Sequence, residues 1–163
     1  MTEKAAQAAA ALIADDRNDE AIAVLEPNLA ANPDDAEALY QLGSAHDNAG
    51  REALAVGPYR RALALGLPPD RELATQIQLA STLRNLGETT ESVAILRAAA
   101  TAHPEHRAAR MFLSLALVSD DQGGAAVHEL LDLLLTNPGP PEAYARSLRW
   151  YADDLVGKAE PDD

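Results

Sequence analysis

The sequence predicts an all-α solenoid: about four helix-turn-helix hairpins stacked side by side, with one further helix closing the C-terminal end. Three observations lead there. Aromatic residues make up only 4% of the chain while hydrophobic residues make up 47%. A core must then be filled by Leu, Ala, Val and Ile, and Ala and Leu are strong helix formers whose modest size lets helices approach closely. A period near 34 residues also runs through the chain: Pro104 and Pro138 are 34 residues apart, and Pro33 and Pro104 are 71 apart, two periods plus three. Finally, the extra three residues fall at Gly66-Leu67-Pro68-Pro69-Asp70, a turn-rich stretch in which an insertion is cheap.

Each hairpin repeats the same marks. The first, residues 2–35, is an Ala-rich helix centred on Ala9, a turn at Asp16 and a second helix carrying Ala21 and Leu25. The second, residues 36–72, places Leu42-Gly43 in mid-helix, turns at Gly50 and continues with Ala55 and Tyr59. The third, residues 73–106, repeats this as Leu79-Ala80, Gly87, Ser92 and Leu96; the fourth, residues 107–140, as Leu113-Ser114, a turn within Asp120 to Gly124, then Ala126 and Leu130. One small residue in each helix of every pair marks where two helices cross closely. Two prolines interrupt the pattern, Pro27 and the Gly57-Pro58 pair. A proline inside a helix removes a backbone hydrogen bond and crowds the carbonyl four residues back, at a cost of ~3 kcal/mol. Kinks are therefore expected near Ala23 and Leu54, on a convex side where water can satisfy a freed carbonyl. After Pro138-Gly139-Pro140-Pro141 the segment 141–156 reads as another helix, with Tyr144, Leu148, Tyr151 and Leu155 at helical spacing. Its expected role is a cap on the last hairpin, with Trp150 as its anchor or as an exposed contact. Residues 158–163 are charged and short, an expected disordered tail, so the whole forms a single domain over 1–157.

The segment Ala36-Glu37-Ala38-Leu39-Tyr40-Gln41-Leu42-Gly43, followed by Gly50, Ala55, Tyr59 and Ala62, resembles the tetratricopeptide repeat, and the resemblance extends over residues 2 to 140 in four copies. Small bacterial proteins built only from these repeats are similar in design. The resemblance implies a right-handed superhelix whose first helices line a concave groove, and a non-catalytic role in binding another protein. A clamp of Lys, Arg and Asn for a partner's C-terminal carboxylate, one use of this family, is not implied: Tyr40, Ser44, Ile77 and Ser81 stand where that clamp places basic or amide side chains.

The groove residues follow from register. Repeat two offers Tyr40, Gln41, Ser44, Asp47 and Asn48; repeat three offers Ile77, Gln78, Ser81, Arg84 and Asn85; repeat four offers Met111, Phe112, Leu115 and Ser119; repeat one offers Ala6, Ala10 and Ile13. Gln41, Ser44 and Asn48 recur as Gln78, Ser81 and Asn85, so the groove should be polar at its middle and more apolar towards repeat four. Amide side chains both donate and accept, which suits pairing with a peptide backbone, although a solvated helix face would read the same way.

Other chemistry finds little support. A formal net charge of -13 repels phosphate backbones and anionic membrane surfaces, so neither nucleic acid nor membrane is an expected partner. The chain has no cysteine, which excludes disulfides and thiolate metal sites. No stretch reads as a secretory signal or a membrane span, so the cytoplasm is the expected location. His103 and His106 flank a Pro-containing turn without a third ligand in sequence, His46 stands at a packing position and His128 on an outer helix; no metal and no cofactor is expected. Gly123-Gly124 lacks the following Lys of a phosphate loop. The alternatives to partner binding are self-association as a homodimer through the groove or the C-terminal helix, and, less favoured, a hydrolytic or metal-dependent enzyme.

Overall fold

The computed structural model describes residues 2–136 together with Arg146 and Trp150. Within 2–136 lie eight helices: α1 (Thr2–Ala14), α2 (Asn18–Ala31), α3 (Ala36–Asn48), α4 (Glu52–Leu65), α5 (Pro69–Asn85), α6 (Thr89–Ala102), α7 (Arg107–Ser119) and α8 (Gly123–Thr136). The cap expected over 141–156 and the tail over 158–163 lie outside the described residues, except that Arg146 and Trp150 have helical backbone and Trp150 is exposed.

The same turn closes all four hairpins. Asp16, Gly50, Gly87 and Asp121 take φ values of 60°, 66°, 84° and 57°. The following N–H then reaches back over five residues: Arg17 to the Leu12 carbonyl at 2.8 Å, Arg51 to His46 at 2.8 Å, Glu88 to Leu83 at 2.9 Å and Gln122 to Leu117 at 2.8 Å. This bond satisfies a carbonyl that the helix end would otherwise leave open, and it requires a left-handed residue. Glycine adopts that conformation freely, and aspartate tolerates it.

Two of the inner helices start on a side-chain cap. Asp35 caps α3 by accepting the Ala38 N–H at 3.0 Å. His106 performs the same task for α7, its Nδ1 accepting the Ala109 N–H at 3.2 Å. The inserted residues, read at the turn-rich stretch Gly66 to Asp70, lengthen a helix: α5 has 17 residues where α1, α3 and α7 have 13. Pro69 supplies the preset φ of a first helical position and Asp70 and Glu72 favour the helix dipole. The repeat boundary read at residues 72 and 73 therefore falls inside the first turn of α5. Neither internal proline interrupts its helix; the carbonyls freed by Pro27 and Pro58 belong to Ala23 and Leu54, both exposed to water.

Each helix packs on the next, and the odd-numbered helices also pack on one another, α1 on α3, α3 on α5 and α5 on α7, while the even-numbered helices make no comparable mutual contact among the described residues. One row is thus drawn together and the other held apart, which bends the stack with α1, α3, α5 and α7 on its inner side. The small residues sit where helices cross: Ala9, Gly43, Ala80 and Ser114 in the inner row and Ala21, Ala55, Ser92 and Ala126 in the outer row are all buried. Ser92 satisfies its hydroxyl by donating to the Ala80 carbonyl at 2.6 Å. Leu25, Tyr59 and Leu96 are buried, whereas their counterpart Leu130 is exposed and Leu133 is buried in its place. The core is a series of clusters, each shared by adjacent hairpins, as expected when one hairpin cannot bury its own apolar face.

Candidate functional site

The inner row places α3, α5 and α7 side by side, so the residues read as groove-lining share one face, but at different depths. Tyr40, Gln41, Ser44, Ile77 and Ser81 form its floor and are buried; Ile77, only 1% exposed, belongs to the core cluster around Phe112. Asp47, Gln78, Arg84, Met111 and Leu115 are partly buried, and Asn48 and Asn85 are exposed. In repeat one, Ala6 is buried, and Ala10 and Ile13 are partly buried.

The polar ladder read from the repeated Gln, Ser and Asn does not keep one role. Its lower part is used between repeats. The Tyr59 hydroxyl, coming from outer helix α4, lies 3.1 Å from Gln78 Oε1 and 3.4 Å from Ser44 Oγ. It reaches there because Gly43 leaves no Cβ between the helices: an added methyl would stand 2.6 Å from the ring. Gln41 donates to Glu37 at 3.0 Å, and Glu37 also accepts from Arg71 Nε at 3.2 Å. The Arg71 guanidinium lies 4.4 Å from the centre of the Tyr40 ring, a cation–π contact. Only the upper part, Asn48 and Asn85, faces solvent. Arg84 donates to Asn85 Oδ1 at 2.8 Å and to Ser119 Oγ at 3.5 Å, joining α5 to α7.

Glu37, Arg71, Thr82 and the Tyr59 hydroxyl were not legible as members of this site. Arg71 lies in the extra turn of α5, ahead of the repeat register, and Tyr59 belongs to the outer row.

Asp47 has the most unusual setting. It lies in the seam between α3 and α5, where Thr82 Oγ1 stands 3.0 Å from Asp47 Oδ1 and 2.9 Å from the Gln78 carbonyl. One hydroxyl proton cannot serve both acceptors. An ionised Asp47 draws it; a protonated Asp47 can donate to Thr82, which then donates to Gln78. Burial raises the Asp47 pKa to about 6, opposed by the Thr82 hydrogen bond and reinforced weakly by Glu52. The same burial, with the field of Asp47, pushes the Tyr59 hydroxyl well above its ordinary value, so that it stays a donor.

The histidines have structural surroundings. His106 is the cap of α7, His103 stands 3.8 Å from Glu105, and burial lowers the pKa of His46. Among the described residues no group of three or more His, Asp or Glu is placed to hold a metal ion, and no helix is long and apolar enough to cross a membrane. Away from the groove, an open depression of about 450 Å³ between α4, α5 and α6 is lined by Leu63, Leu73, Ile95 and Ala99, with Glu72 and His103 also in its wall.

Comparison with known proteins agrees with this architecture. No curated protein matches the sequence. Among solved structures the chain is similar to one described as a MamA RS-1 ArsTM double mutant, with a TM-score of 0.73 and 19% identity over 97% of this chain and 88% of that one. It is also similar to YrrB, described as a TPR protein with an unusual peptide-binding site, with a TM-score of 0.69 and 19% identity over 93% of this chain and 80% of that one. At such identities the likeness concerns the fold. The sequence itself matches the family model for the tetratrico peptide repeat over residues 36–155, well over half its length, and the chain is a member of the tetratricopeptide repeat family.

Proposed function

We propose that this protein is a non-catalytic, cytoplasmic interaction module whose inner face holds an extended or helical segment of a partner protein. The supporting observation is the composition of that face: exposed amides at Asn48 and Asn85, the Arg84 guanidinium between α5 and α7, and partly buried Met111 and Leu115 at one end. Amides can pair with a peptide backbone irrespective of its sequence, and the apolar end can take a side chain. Tyr40, Gln41, Ser44, Ile77, Gln78 and Ser81 support the surface from beneath. A peptide-binding site is described for the structural neighbour YrrB, which favours the same use of this fold. The acidic chain, with a formal net charge of -13, disfavours nucleic acid as a partner. Affinity capture from the native cell with wild type and an Asn48→Ala, Asn85→Ala double variant tests the reading. The variant should lose the partner while keeping its helical circular dichroism; undiminished capture would move the function elsewhere.

One feature favours a second reading, self-association as a homodimer. Val127, Leu130, Leu131 and Leu134 of α8 are exposed, a larger apolar surface than isolated hydrophobic residues require. Light scattering across a dilution series separates the readings, since a monomer at every concentration removes this one.

A further inference from the structure

The chemistry of the groove floor extends the partner-binding reading and rests on it. Two carboxylates of α3 belong to this face. Glu37 is matched by Arg71. Asp47 is not: it is partly buried at the seam with α5, its hydrogen-bond partner is a neutral hydroxyl, and no cation pairs with it among the described residues. A carboxylate withdrawn from water without a cation is costly, and the fold offers this charge only the Thr82 hydroxyl. Thr82 has the Gln78 carbonyl as a second acceptor, and an amide at position 47 would fill the same space. The charge lies next to exposed Asn48, on the open side of the stack. The chain as a whole, at -13, attracts positive partners over long range.

We propose that the groove takes a basic protein segment, with the ammonium or guanidinium of a Lys or Arg seated on the Asp47 carboxylate while Asn48 and Asn85 hold the segment's backbone. The groups facing Asp47 leave that role open. Glu52 and Tyr59 on α4 act on it electrostatically without supplying a positive charge, Thr82 on α5 is neutral, and Arg84 is directed to Asn85 and Ser119. From α2, Asp19 and Glu26 act on the neighbouring His46, as does Arg51, and among the described residues α1 contributes no charged group that acts on Asp47. Because the unliganded carboxylate titrates near 6, an arriving cation favours its ionised form and binding expels a proton under mildly acidic conditions.

The test is selection of random dodecapeptides displayed on phage by the full chain at neutral pH, repeated with Asp47→Asn and with the Asn48→Ala, Asn85→Ala double variant. Wild type is expected to enrich peptides with Lys or Arg at a constant position, and Asp47→Asn to lose that enrichment while remaining fully helical. For a selected peptide free of His, Asp and Glu, wild-type affinity should fall about tenfold between neutral pH and about pH 5, where roughly a tenth of Asp47 remains ionised. The Asp47→Asn affinity should stay flat. Peptides without a basic preference, or equally enriched by Asp47→Asn, overturn the proposal; if the double variant still loses them, the groove reading stands. Peptides indifferent to the double variant overturn the groove reading as well, and a chain that enriches no peptide overturns both.

Discussion

Adding one methyl group at Gly43 tests the packing at the centre of the protein. A Cβ there would lie 2.6 Å from Cδ1 and Cε1 of Tyr59 and 2.9 Å from its Cγ. These carbons lie near the base of the side chain, where rotation gives little relief. The ring is fully buried, and its hydroxyl is held by Gln78 and Ser44. Overpacking of this kind costs about 1–3 kcal/mol, and the closeness of several ring atoms puts Gly43→Ala at the upper end. Against that stands the ~1 kcal/mol that alanine gains over glycine inside a helix. The net expectation is a loss of about 2 kcal/mol. At roughly 2–4 °C per kcal/mol for a chain of this size, the midpoint should drop by about 4–8 °C. Circular-dichroism melts and urea titrations measure it. Gly124→Ala is the control, since a methyl there meets nothing within 4 Å and should gain up to ~1 kcal/mol. If Gly43→Ala instead matched or exceeded wild type, as the control should, the helix crossing would not depend on the missing side chain.

Three further outcomes are expected. Because the folded Asp47 pKa of about 6 lies above its ordinary 3.8, its contribution favours folding most below pH 4 and is lost as pH rises through 6; Asp47→Asn should therefore be more stable than wild type at neutral pH by up to ~3 kcal/mol, the gap closing near pH 4, and equal denaturation midpoints at both pH values would contradict this. Asp121→Gly should stabilise by roughly 1 kcal/mol in urea, because aspartate bears the left-handed strain that glycine avoids, while Gly50→Ala, with φ of 66° and open space around it, should lose a similar amount. His106→Asp should preserve or strengthen the cap of α7, by up to ~1 kcal/mol, whereas His106→Ala should weaken it; a stable Ala variant would show that the Nδ1 hydrogen bond carries no weight.

The sequence revealed those features that depend on steric rules within one hairpin. Small residues at Ala9, Gly43, Ala80 and Ser114 are legible because a crossing admits nothing larger, and Asp16, Gly50 and Gly87 because a left-handed turn restricts its residue. What was not legible depends on how far one hairpin slides against the next. Arg71 reaches Glu37 and Tyr40 only because the three additional residues became helix rather than loop. Ile77 shares its register with Tyr40, and both sink into the core, Ile77 beside Leu113 and Tyr40 beside Tyr59, as the floor of the groove rather than its exposed lining. Gln41 and Gln78 occupy equivalent positions with different partners, because a glutamate precedes one by a turn and a tyrosine hydroxyl meets the other. Periodicity reports which face a side chain shares, but not which neighbour claims it.

The fourfold recurrence of one left-handed corner has an architectural consequence. Each hairpin closes its corner with one left-handed torsion and one reach-back hydrogen bond, both made by the backbone. The turn of one unit is thereby insulated from sequence drift in the next, and the array becomes extensible: a unit can be gained or lost in evolution without remaking the corners of those that remain, and the length of the inner surface can be matched to whatever lies along it.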